Sequence, residues 1–152
     1  MIDNLIISPA VHMAVGTFVL LSNLIFLLVV ARLAWQKKSA STLAKGTFIL
    51  FQLALMLQAL VGIKLLDQGL GFLQLYIHYL GALAPLAFCL IFYWLPTVEG
   101  SARSRRLLVV AVTSFVFVFL TFVVGSMATA DTKAAVTPIF AFVKMAVSLS
   151  PL

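Results

Sequence analysis

Residues 11–34 read VHMAVGTFVLLSNLIFLLVVARLA, with no charged side chain before Arg32. A helix rises 1.5 Å per residue, so about 20 apolar residues cross the roughly 30 Å of hydrocarbon in a bilayer. This stretch is long enough, and three more follow it, at about 46–66, 71–95 and 107–127. The segments between them, QKKSASTLAK (36–45), DQGLG (67–71) and PTVEGSARSRR (96–106), hold the charges and the Gly, Pro and Ser punctuation of loops. Connections this short make consecutive helices antiparallel neighbours. The expected fold is all-α: an up-down four-helix bundle embedded in a membrane, a single domain over 1–152. After Met127 the chain is polar from Thr129 through Pro138. It ends in IFAFVKMAVSL (139–149), too short to span and expected as a short interfacial helix.

The whole composition agrees with that reading. Of 152 residues, 64% are hydrophobic and 9% charged, with a mean hydropathy of +1.21. Soluble domains carry about 25% charged residues, so this chain lacks the polar surface of a soluble enzyme or a DNA-binding module. Its one cysteine, Cys89, excludes an internal disulfide, and no Cys/His run has zinc spacing. The net charge of +6 has a membrane explanation. Arg32, Lys37, Lys38 and Lys45 flank the first loop, and Arg103, Arg105 and Arg106 lie in the third, seven of ten basic residues on one side of the bundle. The positive-inside rule makes that side cytoplasmic, with both termini outside, as in a bacterial inner membrane. Trp35, Tyr93 and Trp94 then fall at the inner interface, and Tyr76 and Tyr79 near the outer one. MIDNLIISP has no basic n-region and does not read as a cleaved signal peptide.

Polar side chains inside spans are costly and ask for a reason. His12 and His78, the only histidines, fall at similar depth near the outer face, on two helices running the same way. Two imidazoles facing each other across a bundle core are a known means of holding heme iron from both axial sides. Gly16 lies one turn beyond His12, and Gly81 and Ala82 one turn beyond His78, where small residues leave room for a flat ring. Ser8 and Gln74, one turn before each histidine, are candidate orienting partners, and Lys64 is a candidate propionate partner. Plainer roles exist for each. Interfacial histidines often only hydrogen-bond, glycines close-pack helices, and Asn23, Gln52 and Gln58 serve as glue between helices. Lys64 and Asp67, at i and i+3, suit an ion pair. The Phe-rich fourth span, Cys89 and the five methionines read as filler or lipid-facing surface.

From Gln58 the chain reads QALVGIKLLDQGLGFLQLYIHYLGAL. This stretch resembles a half-module of the heme A synthase family: a Gln-x-x-x-Gly step, a Gly-Leu outer loop, then a helix opening on Ile-His and small residues. The resemblance covers roughly residues 10–95 and implies one heme site per four-helix half. Its two ligating histidines flank an intervening span, here His12 and His78 around the span with Gln58 and Gly62. The family has two halves in one chain, and this chain has one. The family's carboxylate ahead of a ligand histidine is missing before His12, and Leu66 stands where an Arg follows the Gln. The resemblance therefore implies heme binding rather than oxidation of a heme methyl group.

The expected function is that of a small membrane cytochrome. One heme b on His12 and His78 would carry electrons, between quinol and a periplasmic carrier or within a respiratory or photosynthetic complex with other membrane subunits. The alternative is a cofactor-free structural or assembly subunit of such a complex. A transporter fits poorly, because no span carries an acidic residue and Pro85 has no matching break elsewhere. There is no carboxylate pair, Ser/His/Asp set or phosphate-binding Gly loop for catalysis.

Overall fold

The computed structural model describes residues 6–70 and 76–148, with side chains at 6–70 and 78–127. Four helices follow in order: α1 (Pro9–Trp35), α2 (Thr42–Asp67), α3 (Tyr76–Trp94) and α4 (Gly100–Ser148), with no strand among the described residues. Pro9–Trp35, Thr42–Asp67 and Gly100–Met127 are each long and apolar enough to cross a membrane; in α3, His78–Trp94 is a shorter apolar helix. The expected boundaries for the first two spans hold to within a few residues.

Local chemistry sets the ends. Pro9 at the first position of α1 gives up only an amide that the helix would leave unbonded. Ser41 caps α2 by accepting a bond from the Ala44 amide at 3.2 Å. Two helices stop in the same way. Lys37 N–H donates to Ala34 O and Lys38 N–H to Leu33 O; Gly69 N–H donates to Leu66 O and Leu70 N–H to Leu65 O. This paired bonding needs a left-handed residue after the cap, which is Gly69 (φ 72°) on α2 and Lys37 (φ 53°) on α1.

Helix α1 is central, lying against both α2 and α4; α3 lies mainly on α4 and touches α2 little. Contacts fix the directions. Phe26 stacks on Phe48 at 5.0 Å near one end of the α1–α2 pair, while His12 faces Gly62 near the other. Likewise Gly16 meets Phe122 of α4, and farther along Ser104 Oγ donates to Lys38 O at 2.7 Å. Helices α1 and α2, and α1 and α4, are therefore antiparallel. The core holds Phe26, Val30, Phe51, Ala111 and Leu107, all fully or almost fully buried. Outward lie leucines, isoleucines and valines, among them Leu28, Leu53, Leu60, Leu80 and Val109, all exposed. Apolar side chains on all faces suit a lipid surround, not water.

One expectation is corrected. The fourth span was expected to end at Met127, before a polar tail and a separate interfacial helix, but α4 runs unbroken to Ser148, 49 residues in all. Residues 128–136 (ATADTKAAV) contain four alanines and no Gly or Pro, so nothing there stops a helix, polar or not, and the helix continues through Pro138.

Candidate functional site

His12 is one turn into α1, and the start of that helix is held by a clasp. The Gln68 side chain, just past α2, accepts from Ile7 N–H at 3.0 Å and donates to Ile7 O at 3.1 Å. A carboxamide answering both backbone groups of one residue fixes where α1 begins relative to the end of α2. His12 then faces α2, where its Nε2 lies 3.1 Å from the Gln58 amide nitrogen. With that amide donating, Nε2 accepts and Nδ1 carries the ring proton. His12 Nδ1 is buried and has no partner among the described residues.

His78, near the start of α3, faces α4. Its Nδ1 lies 3.1 Å from the Thr121 carbonyl oxygen, so Nδ1–H donates and Nε2 keeps a free lone pair. A backbone carbonyl holding one ring nitrogen while the other presents a lone pair is how proteins commonly orient a ligating histidine. The two rings stand 6.0 Å apart between centroids, tilted by 55°. Among the described residues, no group of three or more His, Cys, Asp or Glu could hold a metal ion.

Glycines make this approach possible. A Cβ on Gly62 would lie 3.4 Å from His12 Cε1, and one on Gly125 only 2.9 Å from His78 Cε1. Each imidazole is thus backed by a glycine on the facing helix. Gly16 and Gly81 face other groups: the Gln58 amide, 3.2 Å from a Cβ at Gly16, and the Thr121 hydroxyl, which a Cβ at Gly81 would strike. Below the site an apolar floor begins. Val19, one turn past Gly16, is buried in the same cluster as Leu55 and Val118.

The structure thus brings together His12, His78, Gly16, Gly81 and Gln58 of the expected set. Lys64 forms an ion pair with Asp67 at 2.6 Å, the pairing their spacing suggested. Ser8 makes no side-chain cap bond to α1, and Gln74 lies outside the described residues. Gln52 bonds Tyr93 across α2 and α3, at 3.2 Å in each direction. Asn23, fully buried, has no partner for either amide atom among the described residues. Thr121 and Gly125 were not anticipated. Their signal is present, since a hydroxyl and a glycine four apart share one face of a helix, but it is buried in a run of Phe and Val. No protein-family model, curated protein or solved structure matches this chain.

Proposed function

We propose that this protein is a membrane-embedded heme-binding subunit that carries electrons, with one heme b held between His12 and His78. The observation that carries the reading is the meeting of the chain's only two histidines at 6.0 Å, each backed by a glycine. At that separation a nitrogen from each ring could hold one metal ion between His12 and His78. The Nε2 lone pairs support the reading: that of His78 is free, and that of His12 is held by the Gln58 amide.

The residues divide the work. The Thr121 carbonyl sets the tautomer and rotation of His78, and the Gln68 clasp sets the height of His12. Gln58 holds His12 Nε2 and releases that nitrogen for ligation. The Val19, Leu55 and Val118 floor excludes water from below. The heme would supply one-electron exchange, and the protein its ligands and a dry surround. The basic loops face the cytoplasm and the histidine end faces outward, within reach of a quinol or a periplasmic carrier.

The test is an absorption spectrum of the purified protein before and after dithionite. A sharp alpha band is expected on reduction. His12→Ala or His78→Ala removes or weakens it, and Gln58→Ala keeps most of it. Absence of the band from protein expressed with ample heme would falsify the reading. One observation favours the alternative of a cofactor-free structural subunit: both histidines already hydrogen-bond within the bundle, and Gln58 and Thr121 fill the space beside Gly16 and Gly81. That reading expects no band and no loss of assembly with either alanine variant.

A further inference from the structure

At the opposite end of the bundle from the histidines, the turn from α3 into α4 borders a half-open surface cavity of about 90 Å³. Arg103 and Arg106 line it with Thr97 and Tyr93, against apolar walls of Phe92 and Val98. The two arginines are three apart and share one face of the first turns of α4. Both are half-buried, whereas Arg105 between them is exposed. A basic loop suffices for membrane orientation, and an orientation signal gives no reason for two guanidiniums to turn inward around one space.

Their placement is also electrostatically unfavourable by itself. The N-terminus of a helix carries partial positive charge, the first turn of α4 has no acidic residue, and Glu99 just before it is exposed and ion-pairs with neither arginine. Arg106 donates to the Pro96 carbonyl. Arg103 has no ion-pair partner among the described residues, where the one ion pair is Lys64–Asp67. Two guanidinium groups around a hollow on the positive end of a helix are complementary to an anion with several acceptor oxygens. The depth indicates its source. Tyr93 and Trp94 beside the cavity, and Trp35 at the same end of α1, are all exposed, as aromatic rings at headgroup level are.

We propose that this cavity binds a phosphate ester, the headgroup phosphate of an anionic phospholipid, held by Arg103 and Arg106 with the Thr97 hydroxyl beside them and the acyl chains along α3. The proposal is independent of any heme site. It is tested with the full chain in a non-ionic detergent, by titrating phosphatidylglycerol, phosphatidylcholine and inorganic phosphate and reading bound lipid by native mass spectrometry.

Phosphatidylglycerol is expected to bind about ten-fold tighter than phosphatidylcholine. Arg103→Gln with Arg106→Gln removes that preference, while Arg105→Gln keeps it at unchanged helicity. Retention of the lipid against a large excess of inorganic phosphate assigns the site to the lipid. Displacement at matched concentration supports the same site and assigns it to soluble phosphate. Equal binding of the two lipids, or an equal loss from Arg105→Gln, overturns the proposal.

Discussion

Gly125 and Gly46 are both helical glycines with opposite surroundings, and substitution separates their roles. A Cβ at Gly125 would stand 2.9 Å from His78 Cε1 and 3.2 Å from its Nδ1. The ring must then move, and its bond to the Thr121 carbonyl moves with it. Nothing lies within 4 Å of a Cβ at Gly46, so there alanine only removes the backbone entropy that glycine loses in a helix. We expect Gly125→Ala to lower stability by about 1–3 kcal/mol and Gly46→Ala to raise it by about 0.5–1 kcal/mol. Thermal unfolding in detergent reads both. If Gly125→Ala unfolds like wild type, the close approach of α3 and α4 at His78 is wrong. At this scale the sequence is partly legible. His12 and His78 stand out because ionisable groups are rare in apolar spans. Their partners Thr121 and Gly125 do not, because a hydroxyl or a glycine in a membrane helix has many uses. Only the neighbouring helix decides which use applies.

The ends of α1 and α2 show how one backbone requirement is met by two residue types. Both helices close with the same pair of bonds and a left-handed residue, Lys37 in one and Gly69 in the other. An L side chain in that region costs roughly 1 kcal/mol or more, and glycine costs nothing. Lys37→Gly is therefore expected to stabilise the protein by about 1 kcal/mol and Gly69→Ala to destabilise it by a similar amount. Unfolding midpoints of the two variants check the signs. A midpoint raised by Gly69→Ala would contradict the α2 terminus, and with it the position of the Gln68 clasp at the start of α1. The helix starts and stops were readable to a few residues, because loops collect Gly, Pro and charge. The run of α4 past Met127 was not. Residues 128–136 are polar enough for a loop and alanine-rich enough for a helix, and hydropathy registers only the first property. At 1.5 Å per residue, α4 is about 74 Å long, far beyond the thickness of a bilayer.

Across the whole molecule, the basic residues and the histidine pair separate to opposite ends. Arg32, Lys37, Lys38, Lys45, Arg103, Arg105 and Arg106 gather where α1 ends and α4 begins. At the histidine end Lys64 is matched by Asp67. The bundle was legible because twenty-residue apolar runs have few other interpretations, whereas the candidate site was legible only as a pair of histidines, since the residues packed around them look like any others in an apolar span. The charge asymmetry gives the orientation a direct test. Cys89, the one native thiol, is 4% exposed, which shields it from a polar reagent, and a Cys89→Ala background removes it without burying a hydroxyl in the core. On that background Ser39→Cys reports the loop between α1 and α2, and Leu70→Cys the turn after α2; both positions are exposed. In intact cells a membrane-impermeant maleimide is expected to label Leu70→Cys and to reach Ser39→Cys only after permeabilisation. The reverse pattern would put the histidine pair on the cytoplasmic side. A carrier at that site would then exchange electrons with cytoplasmic partners, and the Arg103–Arg106 cavity would face the outer leaflet.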